Sequence, residues 1–573
     1  MIDLQIRVNL THLKNLMLHR VIGIVCILVV LGCTKESPIP DTPVDVIDGP
    51  TIPIDEPAIN TENIPNNIWW NDDVFYEIFV RSFNDSDGDG IGDIQGIIDK
   101  LDYLNDGDPN TSKDLGITGI WLMPIFPSPS YHGYDVTDYR AINPDYGTLD
   151  DFRRLLDEAH KRDIKIIIDF VGNHTSDQHP WFTASASGES KRNWYLWKDT
   201  KPNYTGPWGQ TVWHLRNSAY YYGLFWGGMP DLNFTNSDVT KEIKEITKFW
   251  AQDVGVDGFR IDAVKHWIEE GSNQENTEAT LNWWRDYYAF QKSLNPSFMT
   301  VGEVWTSTEN IIPYSDYRLD YCFEFDLADQ IINAVNSGSA QRLKQKVNQV
   351  TSNYAHAQYG TFLANHDQNR VFNRLGGSLA RAKLAASILL SLPGVPYLYY
   401  GEEIAMKGEK PDENIRLPMQ WNTSSNAGFT SGSPWISPNA NYSEFNVALL
   451  QQDTNSIWNH YRKWIKIRKE NPVFTAGRYQ GLGSSIDSIF SFLRVDNSTD
   501  EMVLIIHNLS DQNQTGFIIN SISSDIPSGV FNLINVEDSY TIGTLTINAT
   551  GGFSFNFTNL TLGPYSSMVL SLQ

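Results

Sequence analysis

Residues 149–162, Leu-Asp-Asp-Phe-Arg-Arg-Leu-Leu-Asp-Glu-Ala-His-Lys-Arg, run straight into residues 164–169, Ile-Lys-Ile-Ile-Ile-Asp. The first stretch is amphipathic and reads as a helix. The second is almost wholly apolar, β-branched, and stops on a carboxylate. A strand apolar on both faces has to be covered on both faces, the situation of a parallel sheet flanked by helices. The same alternation recurs from Trp69 to about Arg468. Strands are expected at 74–81, 117–123, 164–169, 258–262, 299–303, 321–325, 361–364 and 395–400, and helices at 149–162, 240–254, 282–293 and 379–390. Eight such strands predict an α/β chain folded as a closed (β/α)8 TIM barrel, where chemistry sits at the C-terminal strand ends. Several of these strands end in polar residues: Asp169, Asp262, Glu303, and Asn365-His366-Asp367.

Outward from the barrel, the connection between His174 and Met229 is too long for a simple loop and carries Trp181, Trp194, Trp197, Trp208, Trp213 and Trp226. It reads as a small inserted domain. Most of these rings are expected in its core, with one or two facing the cleft. Beyond about Pro472 the pattern becomes short alternating strands with Asn, Ser and Gly turns, predicting an antiparallel β-sandwich. The expected organisation is therefore a barrel over 67–173 and 230–471, an insert over 174–229 and a sandwich over 472–573.

The 573 residues are 41% apolar and 19% charged, which excludes a disordered acidic chain. The formal charge of −25 repels phosphate backbones, so nucleic acid is not an expected partner. Val21–Leu31 has the length of a signal-peptide apolar segment and ends at Gly32-Cys33, which resembles a bacterial lipobox. Residues 1–33 then read as a lipoprotein leader and 34–66 as a Pro- and Asp-rich tether. Cys33 would carry a lipid anchor that holds an exported protein at a membrane, expected to be the outer membrane or cell surface. Cys322 would have no disulfide partner.

Four segments carry the chemistry: 169–174 (Asp-Phe-Val-Gly-Asn-His), 258–266 (Gly-Phe-Arg-Ile-Asp-Ala-Val-Lys-His), 302–305 (Gly-Glu-Val-Trp) and 362–367 (Phe-Leu-Ala-Asn-His-Asp). Residues two apart on a strand face one side, so Arg260 and Asp262 point together into the barrel mouth. The guanidinium is expected to lower the Asp262 carboxyl and keep it ionised. Val301, Val304 and Trp305 around Glu303 are expected to raise its carboxyl, which suits a proton donor. Two carboxyls with opposite environments are the pairing that glycoside hydrolysis uses.

These segments, with residues 116–124 ending in Trp-Leu-Met-Pro, 229–233 (Met-Pro-Asp-Leu-Asn) and 401–404 (Gly-Glu-Glu-Ile), resemble the α-amylase family of glycoside hydrolases, family 13, over nearly the whole chain. The resemblance implies Asp262 as nucleophile, Glu303 as general acid/base and Asp367 as transition-state stabiliser. It also implies that Arg260 orients Asp262, that His174 and His366 bind the sugar at the cleaved bond, and that Tyr134 stacks beneath it. Residues 229–233 resemble the subfamily between α-amylases and oligo-1,6-glucosidases or neopullulanases. Lys265 and His266 resemble the α-amylase pattern on the leaving-group side, which favours internal α-1,4 cleavage of starch-like glucans. Asp135 and Arg416 occur in exo-acting α-glucosidases, where such a pair closes a pocket around a chain end. Transglycosylation, as in a trehalose synthase, is a further alternative. With its leader, the chain resembles the surface starch-degrading lipoproteins of Bacteroidetes.

Residues 85–93, Asp-Ser-Asp-Gly-Asp-Gly-Ile-Gly-Asp, set carboxylates at alternating positions of a Gly-rich loop. Asp85, Asp87, Asp89 and Asp93, with the Ile91 carbonyl, offer hard oxygen donors suited to Ca²⁺. Family relatives hold a structural Ca²⁺ or Mg²⁺ in this first loop. A second family calcium site would use Asn173 and the His266 carbonyl.

Overall fold

The eight anticipated strands form one parallel sheet that closes on itself. In the computed structural model, which describes residues 68–354, 358–558 and 560–573, they are β1 (Phe75–Ile78), β2 (Gly119–Leu122), β3 (Lys165–Phe170), β4 (Gly258–Ile261), β5 (Met299–Gly302), β6 (Tyr321–Cys322), β7 (Gly360–Thr361) and β8 (Val395–Tyr399). Their order is β7-β8-β1-β2-β3-β4-β5-β6. A parallel bridge between Phe323 and Gly360 joins the ends, and Glu324 N donates to Gly360 O at 2.9 Å. The segment read as leader and tether, with Cys33, lies outside the described residues.

Most strands are shorter than the sequence suggested, β1, β6 and β7 for identifiable reasons. β1 stops at Ile78 because Val80–Phe83 coils into a helical turn. β6 is two residues long because a helix begins at Phe325, and β7 is likewise two residues. The helix expected over 240–254 starts earlier, at Ser237, and its last turn, Phe249–Val254, widens to a π-helix that Gly255 ends at φ +92°.

Strand periodicity explains the layering. Phe75, Trp121, Ile167, Met299, Val301, Tyr321, Phe323, Val395 and Tyr397 fill the barrel interior, with Phe75 and Tyr397 stacked at 4.7 Å. Their strand neighbours Tyr76, Ile120, Ile166, Phe259 and Ile261 face the surrounding helices. Two residues above the interior plug, on the same inward face, come Glu77, Asp169 and Glu303. The alternation that buries the plug therefore delivers the acidic groups to the mouth.

Between β3 and β4 the chain makes a helix (Pro180–Ser187) and a three-stranded antiparallel sheet of Trp197–Lys198, Ala219–Tyr222 and Trp213–Arg216. Val212, Trp213, Tyr222 and Leu224 are its own small core. After the barrel, six antiparallel strands from Arg478–Gly481 to Ser567–Leu572 form a sheet, and Gly483–Ser484, Ile518–Ser521 and Phe553–Asn556 form a second. Leu493, Leu504, Ile506, Phe517, Ile519 and Leu570 share one apolar core. Buried Arg494 ties this unit to the barrel through Ser391 O at 3.1 Å.

Candidate active site

Asp169 on β3 and Arg260 on β4 are direct cross-strand partners. Arg260 Nη1 donates to both Asp169 oxygens, at 2.9 and 3.1 Å, and to Asp262 Oδ1 at 2.7 Å; its Nη2 lies 3.4 Å from Glu303 Oε2. One buried guanidinium, lying over the Trp121 ring at 5.1 Å, thus serves three carboxyls. Ala263 takes a left-handed conformation, φ +53°, and its N–H donates to Glu303 Oε2 at 2.9 Å.

The other wall is built on His366. Its Nδ1 faces Glu77 Oε1 at 2.5 Å, and its Nε2 lies 2.6 Å from the Tyr134 hydroxyl and 3.2 Å from Asp367 Oδ2. Tyr134 donates onward to Asp169 Oδ2 at 3.0 Å. Arg416 donates from Nε to His366 O at 3.0 Å and from Nη2 to Asp367 Oδ1 at 2.9 Å. Asp262, Glu303 and Asp367 therefore meet in one cup, joined by Arg260, His366 and Arg416.

The electrostatics separate the three. Burial works to raise Asp367, but the cations of His366, Arg416 and Arg260 outweigh it and hold the carboxyl far below the usual range. Glu303 goes the other way: burial raises it, and the Asp262 and Asp367 charges add to that against Arg260. Burial would lower His366, yet Asp367 and Glu77 carry it up to about 9, an imidazolium at neutral pH. The expectation for Asp262 is corrected. Burial raises its carboxyl even with Arg260 in contact, because that one guanidinium is divided among three acids. Asp169 is pushed by burial to about 7.

His174 is neutral, lowered to about 4 by burial, with Nε2 3.0 Å from Tyr134 O. Lys265 pairs with Glu275 at 2.7 Å. His266 Nδ1 faces Gln274 O at 2.8 Å, and its ring meets those of Phe225 and Trp208 edge-on at 5.8 Å. Trp208 is 61% exposed there, and Trp226 is also exposed, whereas Trp213 is buried and Trp181, Trp194 and Trp197 pack half-buried on the main core. Asp135 and Arg416 do not pair. Asp135 is buried and accepts from Ser128 and Ser130, while Arg416 forks between Asp367 and Asp412, the latter at 3.3 Å. Trp305 stacks on Phe325 and stays half-exposed, so it does little to bury Glu303.

Glu77, Trp121 and Asp412 are site residues that sequence reasoning missed. Glu77 had a usable signal, since it is a lone carboxylate between Tyr76 and Ile78 inside an apolar strand. Asp412 had none, because it reaches the site only through its contact with Arg416.

In the first loop, side-chain oxygens of Asp85, Asp87 and Asp89 lie within 4.8 Å of one another, and burial together with the Asp87 and Asp85 charges raises Asp89. Converging oxygens of like charge fit a hard cation. Asp93 is not among them: its oxygens accept from Ser86 N and Oγ and cap the helix Ile94–Ile98 through Gly96 N. Near the insert, Asn173 Oδ1 and Glu269 Oε1 are buried without a hydrogen-bond partner, beside Asp231, which burial raises to about 7.

The model of the α-amylase catalytic domain matches residues 77–477. The chain belongs to the α-amylase family. Among α-amylase-family relatives, α-amylase 3 of Dictyoglomus thermophilum is 43% identical over 455 residues, 78% of this chain and 86% of the relative. An oligo-1,6-glucosidase of Heyndrickxia coagulans is 35% identical over 562 residues, 84% of this chain and 97% of that enzyme. The crystal structure of an α-amylase from H. orenii superposes with a TM-score of 0.75 at 40% identity, covering 87% of this chain and 99% of its own. These α-amylase-family members place the chain among enzymes that act on glycosidic bonds.

Proposed function

We propose that the protein is a retaining α-glucan hydrolase that cleaves internal α-1,4 bonds of starch-like polysaccharides and maltooligosaccharides. The observation that carries this reading is the cup itself: Glu303 raised, Asp367 held ionised, and Asp262 gripped by Arg260 at 2.7 Å. Glu303 donates its proton to the glycosidic oxygen while Asp262 attacks the anomeric carbon from the opposite face. The bond to the leaving sugar breaks, and a β-glycosyl ester forms on Asp262. Glu303, now a carboxylate, takes a proton from water, and the resulting hydroxide oxygen displaces Asp262 with net retention. A single guanidinium spanning both carboxyls keeps them near one another, in keeping with the separation of about 5 Å that retention needs. Asp367, fixed by His366 and Arg416, accepts hydrogen bonds from hydroxyls of the distorted ring.

Two observations favour internal cleavage. Arg416 is turned to Asp367 and Asp412, not to Asp135, so that pair does not shut a chain-end pocket. Trp208 offers an exposed ring beside His266, a platform for sugars beyond the leaving-group position. The α-amylase relative supports this reading; the oligo-1,6-glucosidase relative keeps exo-action on α-1,6 bonds as the second reading. Product analysis on amylose, pullulan and isomaltose decides. Internal cleavage gives mixed maltooligosaccharides early, whereas release of glucose alone from chain ends would reject it.

Asp85, Asp87 and Asp89 would hold a structural Ca²⁺, with Mg²⁺ as the alternative, neutralising three clustered carboxylates. Asn173, Asp231 and Glu269 would hold a second cation, which would partner the two orphaned oxygens. Export and lipidation at Cys33 remain part of the proposal, checked by whether the enzyme partitions with membranes and loses that partition in Cys33→Ala.

A further inference from the structure

Three successive carbonyls in the loop after β8 are each held by a side chain from elsewhere. Ile415 O accepts from Arg370 Nε at 2.9 Å and from the Tyr399 hydroxyl at 3.1 Å. Arg416 O accepts from Ser82 Oγ at 2.6 Å, and Leu417 O from the Tyr400 hydroxyl at 2.7 Å. All four gripping residues are buried. Arg416 sits at the middle of this grip and reaches Asp367 and His366 O from it. An arginine side chain has several free rotors, so a fixed backbone decides how narrowly its guanidinium is aimed.

The Ser82 hydroxyl, besides donating to Arg416 O, accepts a hydrogen bond in turn. Trp435 Nε1 donates to Ser82 Oγ at 3.1 Å. Trp435 is itself located from two sides: its N–H donates to Gly90 O at 2.9 Å, and its ring lies parallel to Tyr131 at 5.4 Å. A continuous line of hydrogen bonds thus runs from Trp435 through Ser82 and Arg416 to Asp367. Ser82 lies in the helical turn Val80–Phe83 directly after β1, so the barrel wall is its footing.

We propose that Ser82 and Trp435 form a strut that seats Arg416 against Asp367, making both of them positioning residues for bond cleavage. The inference rests on the reading of Asp367 as the group that grips the distorted ring. That contact strengthens in the transition state, so loosening Arg416 lowers kcat and leaves KM nearly unchanged. Both bonds run through one hydroxyl, so removing either end disables the same strut and the two losses do not multiply.

The test compares Ser82→Ala, Trp435→Phe, the double variant, Asp367→Asn, and Ser82→Ala combined with Asp367→Asn. Rates are measured on maltoheptaose and on α-maltosyl fluoride, which keeps slow variants measurable, with Tm recorded for each protein. Ser82→Ala is expected to lower kcat about tenfold, the equivalent of one buried hydrogen bond, with KM within about twofold. Trp435→Phe keeps an aromatic ring, loses the N–H, and should cost kcat about threefold. The double variant should be no slower than Ser82→Ala, and Ser82→Ala should add nothing once Asp367 is Asn. If Asp367→Asn itself keeps wild-type kcat, the role given to Asp367 fails and the strut fails with it. If Asp367→Asn is crippled but Ser82→Ala keeps wild-type kcat, raises KM alone, or multiplies with Trp435→Phe, only the strut is overturned.

Discussion

Glu77→Gln removes one of the two charges, Asp367 being the other, that keep His366 protonated. Glu77 Oε1 lies 2.5 Å from His366 Nδ1, both side chains are buried, and Asp367 lies on the opposite side of the ring at 3.2 Å. The imidazole stands at about 9 where 6.5 is ordinary, a net gain of about 3 kcal/mol for the charged form at about 1.36 kcal/mol per pH unit. Two carboxylates produce this gain against burial, and loss of one forfeits about 2 kcal/mol. A base raised in the folded state gives stability that is complete below the unfolded value, near pH 6.5. That stability disappears as pH rises through about 9. Wild type should therefore exceed Glu77→Gln most at pH 6. At roughly 2 cal/mol/K of unfolding entropy per residue, 2 kcal/mol is about 2 °C in Tm for a body of this size. Above pH 9 the imidazole is neutral in both proteins, so the gap should close. Scanning calorimetry of both proteins from pH 6 to 10 reads this directly. A gap that stays constant, or widens toward alkaline pH, would refute the imidazolium reading.

If the Asp85 loop holds its proposed cation, a chelator should lower the wild-type Tm by about 3 °C, since a ligand at a hundredfold over its Kd stabilises by about 2.7 kcal/mol. The chelator should have a smaller effect in Asp87→Ala, and an unchanged wild-type Tm would reject the metal loop. Trp208→Ala should raise KM for maltoheptaose about fivefold, equivalent to about 1 kcal/mol of ring contact, and leave maltotriose nearly unaffected. Equal effects on both substrates would remove Trp208 from the cleft.

The barrel was legible because its evidence is local: eight apolar runs alternating with amphipathic ones, several of them ending in polar residues. The shortness of β6 and β7 was not, because their ends are decided by a single bridge, Phe323 to Gly360, between segments far apart in sequence. The geometric pairing of Arg260 with Asp262 followed from strand period alone, and the structure has it. Its electrical consequence did not follow, since Arg260 is shared with Asp169 and Glu303, which come from other strands. Spacing offers Asp93 as a fourth oxygen donor, and its second task is invisible there. Only the fold reveals that a helix begins at the next residue and takes that carboxylate as its cap. Glu77 and Ser82 act across the barrel on residues about 290 and 330 positions away, distances no window of sequence can read.

The account stands on Asp262 forming a bond to the sugar while Glu303 supplies and recovers the proton. The most direct measurement is to react the Glu303→Gln variant with an α-glycosyl fluoride, whose leaving group needs no acid, quench, digest and weigh the peptides. One glycosyl residue on the peptide that contains Asp262, with the label absent from Asp262→Asn, is the predicted result. A label on any other acid, or turnover that gives the β-anomer without a trapped ester, would contradict it.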